Sequence, residues 1–201
     1  MPTTAPVRPT RTRILDATVH LLTTTGLPGT TTKAIAATAH CSEATLYKHF
    51  TDKTDLLACL LTERLPSTTH LLPDATDQDA ESCCAHLATQ LLDFYEQSMP
   101  LLGPLLADPT LLPAHRTLPH APLEPVTHRL TRLRDREQIP AQADIPTAAA
   151  LLLGTCFHRA ALAALAPDHQ PHPSRQFTTA VARMVAAALT LPTPPTTHQE
   201  P

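Results

Sequence analysis

The chain has 201 residues, 42% of them apolar but only 3% aromatic, with no Trp, so its core must be built from Leu and Ala, which favours helix over sheet. A formal net charge of −3 excludes a protein that coats nucleic acid indiscriminately. The sign is uneven: residues 1–65 hold seven Lys/Arg against five Asp/Glu, and residues 66–201 hold eight against thirteen, the pattern of a head that meets phosphates on a body that does not.

The ends, Met1–Pro9 and Pro192–Pro201, read as a disordered arm and tail. A first helix is expected from Thr10 to Thr25, with Ile14, Ala17, Thr18, Leu21 and Leu22 on one stripe and Gly26 as its C-terminal cap. Two short helices follow, Thr32–Ala39 and Glu43–His49, then a fourth from near Asp52 to before Pro66. Pro66–Asp77 reads as a boundary, and a long helix spans Asp77–Met99. The Pro-rich segment Pro100–Pro122 is expected to hold only short helical turns. Further helices are expected at Leu123–Glu137, Thr147–Ala166 and Ser174–Leu189. There is no strand alternation and no internal repeat, so the fold class is all-α.

Five cysteines without a C-x-x-C pair (Cys41, Cys59, Cys83, Cys84, Cys156) suggest reduced thiols in a cytoplasmic protein. Met1–Thr12 is polar and Pro-rich, unlike a signal peptide. The longest apolar run, Ala148–Leu153, falls short of the roughly 20 residues of a membrane span, so no membrane partner is expected.

The informative stretch is Thr30–Lys53, TTTKAIAATAHCSEATLYKHFTDK. Two short helices meet across His40-Cys41-Ser42. A helix-turn-helix requires a small residue where its helices cross, a tight turn four residues on and an apolar anchor six residues after that. Ala36, His40 and Leu46 stand at that spacing, with Ile35, Ala39 and Cys41 as the apolar underside. Thr31 and Ser42 are placed to cap the two helices, and such ends can also hold a phosphate.

TRILDATVHLL, TTKAIA and SEATLYKHF followed by DKTDLL resemble the N-terminal domain of the TetR/AcrR-type transcriptional regulators over roughly residues 10–60. The resemblance implies a three-helix DNA-binding head at 10–56, with Glu43–His49 in the major groove, and a ligand-binding and dimerisation domain at 57–190 between the arm (1–9) and the tail (191–201). It assigns base reading to Glu43, Ala44, Thr45, Tyr47, Lys48 and His49, and phosphate contact to Thr31, Thr32, Lys33, Tyr47 and Lys53, beside the cap Ser42. Two positions depart from the usual pattern. His40 stands where Gly is common, at a site that often needs positive φ. Glu43 stands where Lys, Gln or Pro is common; it is either a reader of cytosine N4 or a solvated carboxylate favoured by the helix dipole. Arg8, Arg11 and Arg13 either enter a minor groove or keep the arm soluble.

The helix TAAALLLGTCFHRAALAALA is apolar nearly all round, so it must be covered on most sides, and pairing with a symmetry mate would achieve this. Ala150, Gly154 and Ala161 of this helix, with Val181, Met184 and Val185 of the last, form the expected dimer interface. A two-fold dimer implies a roughly palindromic operator with half-sites on the order of 35 Å apart. The resemblance further implies a pocket for an unidentified small-molecule effector, with Phe94, Tyr95, Met99, His115, Phe157 and His158 as candidate liners, and a repressor that the effector releases from DNA.

No cofactor or resident metal is expected. A metal-responsive regulator is a rival reading, invited by twelve His and by Cys83, Cys84 and His86, although only Cys83 and His86 are good helical neighbours. A regulator that acts without a small ligand is another. No G-x-S-x-G, Gly-rich phosphate loop or H-E-x-x-H appears, so no enzyme is expected.

Overall fold

The computed structural model describes residues 9–68, 71, 79–106, 122–165 and 174–190, and among these it contains eight α-helices and no strand. They are α1 (Thr10–Gly29), α2 (Thr32–Thr38), α3 (Glu43–His49), α4 (Lys53–Arg64), α5 (Ala80–Leu106), α6 (Leu123–Asp135), α7 (Ile145–Leu165) and α8 (Ser174–Thr190). The expected arm up to Arg8, the tail and His115 lie outside the described residues.

The chain divides into two compact units. The first holds α1–α4 and the end of α5 from Ser98; the second holds the start of α5, to Gln97, and α6–α8. In the first unit Ile14, Leu15, Leu22, Ile35, Leu46, Phe50 and Leu56 share one core with Leu101 and Leu105. A seven-residue helix cannot stand alone, so α2 and α3 exist because this core holds them. α1 is interrupted at Gly26, whose φ of 69° and ψ of −177° lie outside the helical region, before a last turn containing Pro28. Gly26 thus ends the regular helix as expected, but one more turn follows it. Gly29 packs so closely on Thr25 that a Cβ there would collide with the threonine side chain.

α5 departs from the sequence expectation: it runs on through Pro100 and Pro104 instead of breaking into short turns. Each proline removes one helical hydrogen bond, at a cost of about 3 kcal/mol in a helix interior. Burial of Leu101 and Leu105 in the core of the first unit offsets that loss. Pro100 and Glu96 lie on the exposed side, where the carbonyl released by the missing N–H can reach water.

In the second unit Cys83, Leu87 and Leu91 of α5 pack with Val126, Leu130 and Leu133 of α6, with Ala148, Leu152 and Cys156 of α7, and with Val181, Val185 and Leu189 of α8. Each set recurs at three- or four-residue steps, giving one buried stripe per helix. Val181 and Val185 were expected to face a partner but are only 8% and 3% exposed, buried in the chain's own core. α8 has apolar residues on more than one side, and spacing alone does not tell which side faces inward. Met184, 72% exposed, points the other way.

By length and composition alone, the 21 residues of α7 are long and apolar enough to cross a bilayer, as the core helix of a soluble protein also can be. Its inner stripe is core, yet only 33% of its apolar 18-residue window is buried, and Ala150, Leu151, Gly154, Leu162 and Leu165 are exposed.

Candidate nucleic-acid interface

The geometry of the α2–α3 pair begins with its caps. Thr31 Oγ1 accepts from the Ala34 N–H at 3.1 Å, and Ser42 Oγ accepts from the Thr45 N–H at 3.1 Å. These bonds satisfy donors that a helix start leaves unpaired. Between the helices the chain turns at His40, with φ of 51°. The Cys41 N–H donates to the Ala36 carbonyl at 2.9 Å and the His40 N–H to that of Ala37 at 3.1 Å. That pair of bonds is a Schellman closure, and it requires a left-handed residue where His40 stands. Ala36 and Leu46 on either side are buried, so all three anchors of the helix-turn-helix fall into place.

On α3 Leu46 alone is buried. Ser42, Glu43, Ala44, Tyr47, Lys48 and His49 are exposed, Tyr47 by 50%, and Thr45 is half-buried. Thr31 and Lys33 are exposed, while Thr32 and Lys53 are half-buried. All eleven residues expected to meet DNA are therefore at least partly accessible, with α3 anchored by one leucine and polar outward.

One contact was not foreseen. Thr32 Oγ1 of α2 donates to Glu43 Oε2 of α3 at 3.0 Å. The Arg11 guanidinium is not part of a loose arm either. It pairs with Glu63 of α4 and sits 5.1 Å from the centre of the Phe50 ring. The hydrogen bond from Arg11 holds the Glu63 carboxyl below its ordinary range. Asp52 caps α4 by accepting from the Asp55 N–H at 2.8 Å, and Asp55 Oδ2 accepts from the Thr51 N–H at 2.8 Å, a reciprocal cap that sets the exit from α3.

The candidate effector residues fare differently. Tyr95 meets Phe94 and Phe157 edge-on, with ring centres 5.3 and 5.4 Å apart. Burial drives the Tyr95 phenol pKa upward, with a smaller contribution from Cys156. Met99 is buried and falls in the other compact unit, and His158 is exposed. Two clefts of the second unit, about 720 and 450 Å³, are lined by none of the expected residues. The larger is bordered by Asp79, Ser82, Gln138, Arg183 and Thr190, scattered polar positions that carry no pattern in sequence. Sequence reasoning also missed two arginines buried in this unit. Arg129, 1% exposed, donates from Nη1 to Gln90 Oε1 at 2.9 Å, and Arg159 lies over the Phe177 ring.

Cys83 and Cys84 are buried whereas His86 on the same helix is exposed, so the suggested metal ligands diverge. Among the described residues no three His, Cys, Asp or Glu side chains are grouped to hold an ion.

Residues 14–60 match the family model described as bacterial regulatory proteins, tetR family. Over 105 residues the chain is 34% identical to the uncharacterized HTH-type transcriptional regulator YvkB of Bacillus subtilis (strain 168), covering 52% of this chain and 55% of that one. The chain thus spans about half the length of this curated relative. The fold is similar to that of Salmonella enterica GusR, with a TM-score of 0.73 at 22% identity, covering 93% of this chain and 98% of that one. It is also similar to the transcriptional regulator FadR from Bacillus subtilis, solved in complex with stearoyl-CoA, with a TM-score of 0.70 at 17% identity over 88% and 98% of the two chains.

Proposed function

We propose that the chain is a one-component cytoplasmic repressor of the tetR type, whose family model its residues 14–60 match, and a homodimer that holds a palindromic operator and releases it when a small molecule binds. The observation that carries the reading is the single-anchor geometry of α3. Leu46 is sunk in the core while Tyr47, Lys48 and His49 stand outward, as a helix must that enters a major groove. Tyr47, Lys33, Lys48 and Lys53 supply phosphate contacts, and the outward side chains of α3 read base edges.

The exposed face of α7, Ala150, Leu151, Gly154 and Leu162, supports the dimer, together with Met184 of α8. Apart from its two chain neighbours and the backbone of its own helix, nothing among the described residues lies within 4 Å of where a Cβ on Gly154 would stand. A glycine inside a helix costs about 1 kcal/mol, and a second copy packed close against it gives that cost a purpose. The effector is assigned to the second unit. Support for an effector comes from fold similarity to FadR, which was solved in complex with stearoyl-CoA.

The test is a gel shift on duplex DNA flanking the chain's own gene, with and without a panel of lipophilic compounds. The intact chain should retard one fragment, and one compound should abolish the shift. Tyr47→Ala and Lys48→Ala should each weaken binding, and Lys48→Ala should lower the slope of log affinity against log salt by about 1. A chain that retards no fragment at any salt concentration would refute the reading.

A further inference from the structure

Between Thr31 and Thr51 the sequence holds a single acidic residue, Glu43, on a surface otherwise furnished with Lys33, Lys48 and His49. A carboxylate facing a polyanion is unfavourable wherever the duplex sequence supplies nothing to pair with it. The Thr32 hydroxyl, eleven residues earlier on the other helix of the pair, donates to its Oε2 at 3.0 Å. That bond favours one placement of the charge on this face over the other rotamers open to an exposed glutamate.

Accepting α2 and α3 as the DNA-reading pair, on which this step rests, we propose that Glu43 is a selectivity residue held in place by Thr32. Its carboxylate weakens binding to duplex in general, and this is offset only where a base-edge amino group such as cytosine N4 meets it. A charge that disfavours every wrong sequence widens the gap between the operator and bulk DNA without adding contacts to the backbone. Thr32 acts as the positioning residue, because without its hydroxyl the carboxylate leaves its aimed orientation.

The experiment uses the full chain and two duplexes of equal length, one of random sequence and one selected from a random library by the wild-type chain. Fluorescence anisotropy gives affinities for the wild type, Glu43→Gln, Glu43→Ala and Thr32→Val, with thermal melts confirming that each variant folds. Glu43→Gln and Glu43→Ala should both bind the random duplex more tightly, by about two- to fivefold at low salt, as expected for removing one charge near phosphates in high dielectric. Both should lose affinity for the selected duplex, so that the selectivity ratio falls. Thr32→Val should lose part of the ratio, and Thr32→Ser, which keeps the hydroxyl that donates to Glu43, should restore it. If Glu43→Gln matches the wild type on both duplexes while Glu43→Ala weakens both, Glu43 merely braces the turn and the proposal is overturned. If the wild type selects no duplex at all, the DNA-binding reading fails first and this proposal falls with it.

Discussion

Arg64, the last residue of α4, donates from Nε and Nη2 to a single oxygen of Asp16 on α1, at 3.2 and 3.1 Å. The same Nη2 lies 3.4 Å from the Thr12 carbonyl oxygen. Together with the Arg11–Glu63 pair, this ties the end of α4 to the first turns of α1. Both partners are partly exposed, so water and salt weaken the attraction. Arg64→Ala should therefore cost only about 0.5–1 kcal/mol in chemical denaturation, and the loss should shrink at high ionic strength. Asp16→Asn combined with Arg64→Ala should cost little more than either alone. Strict additivity in that double-mutant cycle would show the two residues to be uncoupled.

The turn of the helix-turn-helix offers a test of opposite sign. His40 holds a φ that suits glycine, and its side chain is exposed. His40→Gly should raise stability by about 0.5 kcal/mol, the relief of a left-handed side chain less the entropy that glycine adds to the unfolded chain. His40→Val should lose at least as much, because a β-branched residue is a poor occupant of that region. Equal melting temperatures for the two variants would contradict the geometry.

At Gly154 the helix and the assembly are expected to respond in opposite directions. Gly154→Ala should favour the α7 helix itself by about 1 kcal/mol, since the chain's own atoms leave room for a methyl group. If a second copy packs there, Gly154→Leu should shift sedimentation toward the monomer and weaken operator binding. A Gly154→Leu protein that remains a dimer would place the interface elsewhere.

Alkaline pH should reveal the buried acids of the second unit. Burial pushes the Cys156 thiol up to about 12, and its Sγ lies 3.5 Å from the Ala88 carbonyl oxygen. Tyr95 is raised as well. An unfolded thiol loses its proton near pH 9 and an unfolded phenol near pH 10, whereas the folded chain keeps both. The unfolded state then binds fewer protons, so stability must fall as pH rises from about 9 toward 12, having been fully present below that window. Denaturation midpoints measured from pH 8 to 11 should decline, and Cys156→Ala should decline less steeply. A flat profile for the wild type would show that these groups titrate freely.

The head was legible because its signals are local. The spacing of Ala36, His40 and Leu46 and the caps Thr31 and Ser42 are properties of a few neighbouring residues, and the structure places all five as that spacing requires. The C-terminal unit was legible only as helices. Prolines 100 and 104 signalled a break that the burial of Leu101 and Leu105 overrides. Val181 and Met184 belong to one helix with apolar residues on more than one side, and only tertiary packing decides which of them turns inward. The candidate liners Tyr95 and Phe157 did meet, as packed rings, an arrangement that serves a core as readily as a pocket and that spacing along one helix does not foretell.

The sharing of α5 has a consequence for the order in which the chain matures. Leu101 and Leu105 help to close a core whose other members lie between Ile14 and Leu61. During synthesis from the N-terminus the reading helix therefore emerges long before the segment that seals the space beneath it. The nascent head stays an unfinished hydrophobic socket until residue 105 has cleared the ribosome. By then the opening helix of the second unit has emerged too, while α6–α8, which supply the rest of that unit's core, are still to come, so the first unit can close before the second.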